Sequence, residues 1–247
     1  MTVVIPTLNE AGRIAEAVAD LRWADEVIVV DGGSTDQTVA LATAAGARVI
    51  MLPDQTIASQ RNAGIQASRN RWVLALDADE RVSGALRAEL ESLLTSTPTH
   101  AAYRIKFENH YLGRVLRHGP WGRDWHVRLF TSERRFIGNR VHEHLETIDD
   151  VGTLGGTIIH TPYRDLPHHV AKIIKYAQWG ADDLYSRGRR AGFWQMSMRP
   201  AWRFLRDYFA YSGWRDGVAG FIAAVVSAFA SFLKYALLFV RARSSKS

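Results

Sequence analysis

The first 95 residues alternate between short apolar runs and longer stretches with helical periodicity. The apolar runs are bounded by turn residues and predict β-strands at 3–5, 26–30, 48–52 and 72–76. Between the first two strands, apolar side chains recur at helical spacing. Strands that alternate with helices favour a parallel sheet with right-handed crossovers. The pattern therefore predicts an α/β fold with a doubly wound, mainly parallel sheet.

Polar residues mark where the predicted helices begin and end. Ser34, followed three residues later by Gln37, has the spacing of a capping box, and Gly46 suits the end of that helix. Ser83 is placed to cap a later helix that carries four leucines. The loops before these helices lie at the carboxyl ends of the strands, where doubly wound sheets bind ligands.

The pattern changes near residue 100. Strand-like runs at 101–108, 126–131 and 156–160 are joined by glycine-rich turns, and a helical pattern follows Pro167. This predicts a mixed second half of the sheet and then a helical region. The expected domains are 1–165, with halves 1–99 and 100–165, and a basic, helical C-terminal region over 166–247.

Residues 218–240 are nearly all apolar and are long enough to span a bilayer. Lys234 lies inside this stretch, and its small residues lower its hydrophobicity. Arginines on both flanks give no orientation bias. We therefore expect an interfacial or packed helical anchor, with a true membrane span and a plain core helix as alternatives.

Charge is distributed unevenly along the chain. Residues 1–165 contain 18 Lys and Arg against 21 Asp and Glu, whereas residues 166–247 contain 13 against 4. The basic residues of the C-terminal region interleave with aromatic and aliphatic ones, which favours an anionic membrane surface over nucleic acid as the partner. The chain contains no cysteine, which excludes disulfides and thiolate catalysis. It begins directly with a strand-like run, so we expect no export signal.

Polar residues follow three of the predicted strands. The junctions read Pro6-Thr7-Leu8-Asn9-Glu10, Asp31-Gly32-Gly33-Ser34-Thr35-Asp36 and Asp77-Ala78-Asp79-Glu80. Asp77 and Asp79 lie two apart at a strand end, so in extended geometry they face the same way. Two convergent carboxylates need a cation, a proton or solvent, and Mg²⁺ or Mn²⁺ commonly bridges carboxylates to substrate phosphates. The alternative is a polar turn that caps the next helix.

Asp31 and Arg61 are candidates for contacting a nucleotide. A carboxylate ending a strand before two glycines can accept hydrogen bonds from a ribose or base, and Gly33 lets a ligand approach the backbone. The alternative for Asp31 is an Asx turn. Arg61 is expected in the loop before the last of the four strands, with a solvated helix residue as the alternative.

The three junctions, taken together in order and spacing, resemble the family-2 inverting glycosyltransferases, which have a GT-A fold. The resemblance is closest to the branch that builds the lipopolysaccharide core, and it runs nearly end to end. Further matching segments are Gln60-Arg61-Asn62, Arg128-Leu129-Phe130, Val141-His142-Glu143, 160–165 and 199–204.

The resemblance implies a function for each junction. Residues 1–99 would bind the nucleotide and metal, and 100–165 the acceptor. Asp79 would ligate Mg²⁺ or Mn²⁺, with His160 able to reach the metal or the diphosphate. Pro6, Asn9, Glu10 and Asp31 would bind the nucleoside, and Asp77 would assist. We add Thr7, Gly33 and Arg61 to the nucleotide-binding set, Arg61 because its guanidinium is placed to hold the diphosphate of the leaving group.

The activity implied is transfer of one hexose, such as glucose, from a UDP-sugar to a glycolipid acceptor. That acceptor would be the lipopolysaccharide inner core, at the cytoplasmic face of the inner membrane. An inverting attack by a hydroxyl requires a carboxylate base. We favour Glu143 for this base, with Asp124 second and a partly buried salt bridge as the alternative for either.

Two segments of the sequence differ from those of the enzymes it resembles. The loop at 53–57 lacks the aromatic-glycine stretch common among them, which leaves the donor sugar open. The segment 195–199 does not match the Q-x-x-R-W of processive synthases, which favours single-sugar transfer.

Three other functions compete with this one. A polyisoprenyl-phosphate glycosyltransferase has the same fold and needs no strong base, because a phosphate acceptor is already ionised. A catalytically inactive nucleotide-binding scaffold is the alternative from a different class. A phosphatase with a D-x-D nucleophile fits poorly, because Arg81 stands where such enzymes need Thr or Val.

Overall fold

A computed structural model describes residues 1–139 and 142–244, without the side chains at 139, 142, 143 and 244. The chain divides into two compact units, 1–107 with 125–160, and 108–124 with 161–247. We call them the sheet unit and the helical unit. The predicted boundary after residue 165 differs from this division, since residues 108–124 cluster with the helical region.

The first half of the sheet unit is parallel, as predicted. Its strand order is β3-β2-β1-β4. Its elements are β1 (Thr2–Thr7), α1 (Ile14–Ala19), β2 (Glu26–Asp31), α2 (Thr38–Ala44), β3 (Arg48–Met51), α3 (Ile57–Ala67) and β4 (Trp72–Ala75). Thr7 pairs with Asp31 in register, so the polar loops after β1 and β2 leave the sheet side by side.

The second half of the sheet continues in the order β4-β8-β6-β11-β5, with antiparallel strands. Its elements are β5 (Glu80–Val82), α4 (Gly84–Thr95), β6 (Ala102–Tyr111), β7 (Arg114–Leu116), β8 (Trp125–Thr131), β9 (Phe136–Asn139), β10 (His142–Leu145) and β11 (Val151–His160). β9 and β10 form a separate hairpin, and β7 pairs with β6. The register pairs His160 with Glu80, which brings the end of β11 beside the Asp77–Glu80 junction.

Apolar side chains cover both faces of the parallel strands. On one face, Val3 and Ile5 pack in a cluster with residues of α1, α2 and α4, such as Ile14. On the other, Val4 packs in a cluster with Ile65 of α3. The α/β sheet is therefore wound on both faces, which confirms the predicted fold class.

One of the two predicted helix caps is present. Ser83 accepts a hydrogen bond from the N–H of Leu86 and caps α4, as expected. The capping box at Ser34 is wrong, because α2 begins after Gln37, which makes no side-chain cap. Ser34 Oγ instead donates to Asp31 and accepts from the N–H of Asn9, as described below.

The helical unit contains α5 (Leu166–Ser186), α6 (Phe193–Leu205), a π-helical segment (Arg206–Ala210) and α7 (Gly217–Ser244). The helix spanning Gly213–Arg243 is long and apolar enough to cross a membrane, with a mean hydropathy of 1.9. Only 28% of its most apolar window is buried, which disfavours the plain core helix. An ion pair joins Arg241 to Asp182 of α5, and Arg199 of α6 donates to Tyr235 Oη at 2.7 Å.

Candidate functional site

The loops that follow β1 and β2 are joined by hydrogen bonds. The N–H of Asn9 donates to Ser34 Oγ at 2.8 Å, and the N–H of Thr35 donates to Asn9 Oδ1 at 2.9 Å. The N–H of Glu10 donates to Thr38 Oγ1 at 2.8 Å. Asn9 has a φ of 59°, in the left-handed region that asparagine tolerates better than most residues. The two loops therefore form one preordered rim at the carboxyl ends of the parallel strands.

Asp31 is fully buried at the end of β2 and organises the second loop. Its Oδ1 accepts from the N–H groups of Gly33 and Ser34 at 2.9 and 2.8 Å. Its Oδ2 accepts from the hydroxyls of Ser34 and Thr7 at 2.5 and 3.3 Å. The Asx turn expected as the alternative is therefore present, and it holds Gly33 at a φ of 95°.

The segment Gln60-Arg61-Asn62 lies on α3, and its Gln60 side chain packs against the second loop of this rim. A Cβ at Gly32 would lie 2.2 Å from Nε2 of the buried Gln60, so any other residue here would displace the Gln60 side chain from its place against the loop. The side-chain amide of Asn62 exchanges two hydrogen bonds with the backbone of Phe136, at 2.8 and 2.9 Å. Asn62 thereby anchors the β9–β10 hairpin to α3.

Arg61 is buried on α3, so both predictions for it, a loop residue and a solvated helix residue, are wrong. Its Nη2 lies 2.6 Å from Asp77 Oδ1, and Nη2 of Arg128 lies 3.6 Å from Asp77 Oδ2. Burial acts to raise the pKa of Asp77, but the guanidinium groups of Arg61 and Arg128 outweigh it and hold the pKa well below its usual range. Asp77 is therefore an ionised acceptor between two cations.

Glu80 occupies the buried side of the same junction. Its Oε1 lies 2.6 Å from Arg128 Nη2, and its Oε2 accepts from the N–H of Asp77 at 3.0 Å. Burial acts to raise the pKa of Glu80, the guanidinium of Arg128 opposes the increase and the carboxylates of Asp77 and Asp79 add to it, so the pKa lies above its usual range. These contacts fix the shape of the turn that presents Asp79.

Asp79 lies in a cluster of possible metal ligands. Ligand atoms of Asp79, Glu80 and His160 all lie within 4.8 Å of one another. Asp79 Oδ2 is 3.9 Å from His160 Nε2 and 3.6 Å from Arg13 Nη1. Two carboxylates and an imidazole suit Mn²⁺, and carboxylates with water suit Mg²⁺. The donor set therefore fits a divalent cation, and it includes Asp79 and His160, the two residues predicted from the sequence to hold one.

The predicted geometry of Asp77 and Asp79 is wrong, although both residues are at the site. β4 ends at Ala75 and residues 78–79 form a turn, so strand alternation does not apply to them. Asp77 contacts the arginines, whereas Asp79 belongs to the ligand cluster. The two carboxylates therefore have different partners.

The two candidate bases lie in different units. Glu143 is in β10, where its backbone pairs with Gly138, and its side chain lies outside the described residues. Asp124 follows a short 3₁₀ turn in the helical unit and accepts from Nδ2 of the buried Asn109 at 3.1 Å. The role of each as the base stays a prediction.

Sequence reasoning gave no role to Glu80, Arg128 or Arg13. Arg128 had a usable signal, since an arginine inside the apolar run 127–130 needs a buried counter-charge. Glu80 follows the D-x-D directly, but its inward orientation depends on the turn. Arg13 lies far from Asp79 in sequence and reaches it only through the fold.

Comparison with known proteins identifies the family of this chain. Residues 2–143 match the family described as "Glycosyl transferase family 2". An uncharacterised glycosyltransferase of Rickettsia prowazekii is 31% identical over 96% of this chain and 86% of its own length. The lipopolysaccharide core biosynthesis glycosyltransferase LpsC of Rhizobium meliloti is 28% identical over 98% of this chain and 92% of its own.

Among solved structures, residues 1–349 of TarS from S. aureus, in complex with UDP-GlcNAc, share the fold. That protein is 15% identical, with a TM-score of 0.51 over 99% of this chain and 91% of that chain. The chain therefore belongs to glycosyltransferase family 2, and it is a glycosyltransferase with a GT-A-like fold.

Proposed function

We propose that the chain transfers a single hexose, with inversion, from a UDP-sugar to a lipid-linked saccharide at a membrane surface. The observation that carries this proposal is the junction after β4. There the ligand cluster of Asp79, Glu80 and His160 adjoins Asp77 and its two arginines. A diphosphate leaving group requires positive charge that is already in place. This junction provides it through a cation site and through the arginine side chains beside it.

The preordered rim supports binding of the nucleoside half of the donor. Pro6, Thr7, Asn9 and Glu10 line the first loop, and Asp31 with Gly33 shapes the second. Because these loops are already bonded to each other, a nucleoside would bind without ordering them, which lowers the entropic cost of binding. Arg61 would contact the diphosphate from α3.

Asp79 and His160 would hold Mg²⁺ or Mn²⁺. When bound, that ion supplies Lewis-acid stabilisation of the departing diphosphate. Arg13, 3.6 Å from Asp79, supplies positive charge at the same carboxylate. Glu80 and Arg128 fix the shape of the turn, which keeps Asp79 beside His160 and Arg13.

The acceptor hydroxyl needs a base, and Glu143 is our first choice, with Asp124 as the second. Glu143 is carried on the β9–β10 hairpin, which Asn62 fixes to the same helix that carries Arg61. We infer a glycolipid acceptor of the lipopolysaccharide inner-core type, supported by the relative LpsC. The apolar α7 supports attachment to a membrane, which we propose is peripheral or monotopic and at the cytoplasmic face of the inner membrane.

The acceptor assignment is tested by transfer of labelled sugar to two acceptors, a truncated lipopolysaccharide core and polyprenyl phosphate. Transfer to the core saccharide, lost in Glu143→Gln, would support the proposal. Transfer to polyprenyl phosphate alone, with Glu143→Gln fully active, would establish the polyisoprenyl-phosphate alternative instead.

A further inference from the structure

Helix α6 and the π-helical segment after it expose a continuous apolar stripe. Five large side chains recur at intervals of three or four residues, which places them on one helical face. They are Trp194, Met198, Trp202, Leu205 and Phe209, exposed by 69, 42, 64, 49 and 57%. We call this set the α6 stripe. The face is unpartnered in the described chain, whereas the arginines of α6 turn towards α7 and Asp207.

Helix α7 exposes a second stripe of the same kind. Its members are Val218, Phe221, Val225, Phe229 and Phe232, exposed by 74, 45, 41, 45 and 43%. The small residues Ala219, Ala223 and Ala224 are buried on the other side of this helix. We call the exposed set the α7 stripe.

The two stripes meet at a cluster of aromatic rings. Phe221 of the α7 stripe lies 6.0 Å from the ring of Phe204 and 5.6 Å from the ring of Tyr208. Phe209 of the α6 stripe lies 6.2 and 5.0 Å from the same two rings. Ten exposed apolar side chains thus form connected apolar surface, which on a water-soluble protein marks an interaction site.

The charge around this apolar surface indicates which kind of partner binds it. The helical unit carries 17 Lys and Arg against 7 Asp and Glu, so it is strongly cationic. Arg189 and Arg190 are exposed just before α6, and Arg215 is exposed beside Trp214 after it. A second copy of this unit would bring like charges together, which disfavours a dimer. An anionic lipid surface satisfies both the apolar stripes and the arginines, and tryptophan is favoured at its headgroup level.

We propose that α6 is an interfacial helix, whose stripe enters the headgroup region of an anionic bilayer together with the α7 stripe. α7 lies along this surface and does not cross it, because Arg241–Asp182 and Arg199–Tyr235 tie its C-terminal half to α5 and α6. The sequence predicted a membrane-associating region over 166–247 with its anchor at 218–240, and the structure adds that α6 carries the two most exposed tryptophans. This inference deepens the proposed function and rests on its membrane-borne acceptor.

The absence of cysteine allows a direct test, since one introduced cysteine is the only labelling site. An environment-sensitive dye would be attached to Met198→Cys, and to Ile174→Cys on α5 as the matched control, because Ile174 is equally exposed at 41%. We expect a blue shift of the dye at 198 with vesicles of phosphatidylcholine and phosphatidylglycerol in equal parts. Pure phosphatidylcholine, high salt and the dye at 174 should give little change.

Vesicle flotation of a second pair of variants measures the affinity. Trp194→Gln with Trp202→Gln should weaken binding by about tenfold or more, whereas Ile174→Gln with Tyr176→Gln should bind as the parent does. A dye shift that appears without vesicles and grows with protein concentration would overturn the proposal in favour of self-association. Equal binding of both double variants would also overturn it.

No sugar chemistry enters these measurements, so the two proposals fail separately. If the chain turns over UDP-sugar in solution but does not bind anionic vesicles, only the proposal of a membrane-binding surface is contradicted. A chain that binds vesicles through Trp202 but turns over no donor would contradict the proposed function alone.

Discussion

Arg128 and Glu80 form a buried ion pair, with Nη2 and Oε1 2.6 Å apart, directly behind the turn that presents Asp79. The guanidinium also reaches Asp77 at 3.6 Å and stacks over the ring of Phe107, 5.1 Å from its centroid. A strand residue of β8 thereby fixes the shape of a loop that follows β4. The candidate metal site thus depends on a contact between β8 and the turn after β4 as well as on the D-x-D itself.

Loss of Arg128 is expected to destabilise the fold. Arg128→Met removes one partner of a buried ion pair, which typically costs about 3–5 kcal/mol. We expect a loss near the lower end of that range, because burial raises the pKa of Glu80 and this carboxylate can take up a proton once Arg128 is removed. Urea unfolding measures the change, and Arg104→Met, on an exposed side chain, should stay within about 1 kcal/mol of the parent. A loss no larger than that of the control would contradict a structural role for the pair.

Stability should fall in mild acid because of His169. This residue is buried in the helical unit, where its Nδ1 lies 2.8 Å from Tyr111 Oη. Burial first, and then the charges of Lys172 and His168, lower the pKa of His169 to about 4 from 6.5. Between these two pKa values, the unfolded chain binds a proton at His169 and the folded chain does not. The free energy of unfolding should decrease as the pH falls from about 6.5 to about 4, by up to about 3 kcal/mol.

Unfolding curves measured across that pH window test the assignment. His169→Gln should make the free energy of unfolding depend less on pH in this window, whatever its effect on the stability at neutral pH. His144→Gln, at an exposed position, should leave the slope unchanged. An unaltered slope in the His169 variant would assign the pH dependence to other groups.

Asp31 is expected to affect both the stability and the nucleotide affinity. Asp31→Ala leaves the N–H groups of Gly33 and Ser34 without their acceptor, which costs about 1–3 kcal/mol. The loop would lose its shape, so UDP should bind about tenfold more weakly in calorimetry. Asp149→Ala, at an exposed position, is the matched control. UDP affinity equal to that of the parent would show that the rim does not bind the nucleoside.

The choice of base predicts different effects for two isosteric variants. Glu143→Gln should lower the transfer rate by about 100-fold or more, with the UDP affinity unchanged, because only proton removal is lost. Asp124→Asn should have the smaller effect. Reversal of this order would assign the base to Asp124. Full activity of both variants would contradict a base-assisted attack.

The parallel half of the fold could be predicted because its signals are local. The strands predicted at 26–30 and 72–76 match β2 and β4 to within one residue at their ends. Each is a buried apolar run with turn residues beside it, so its length is visible in the sequence. The antiparallel half was predicted in outline, but β5 and β7 were not, because three-residue strands exist only through their partners.

The same distinction applies to the site. The junction residues Asn9, Asp31 and Asp79 could be predicted because strand ends in a doubly wound sheet converge. The roles of Glu80 and Arg128 could not, since they depend on the pairing of β8 with β4. The burial of Arg61 was missed for a similar reason, because it follows from the packing of α3 against the sheet.

The central claim is that Asp79 belongs to a metal site that activates a sugar nucleotide. It is tested most directly by measuring nucleoside diphosphate release from a panel of sugar nucleotides, with Mn²⁺, Mg²⁺ or EDTA. Asp79→Ala is the test variant, and Asp149→Ala the control. We predict slow release that requires the metal, is abolished in Asp79→Ala and is fastest with a UDP-sugar. Release that persists in EDTA and in Asp79→Ala, or no release from any donor even with acceptor present, would contradict the account.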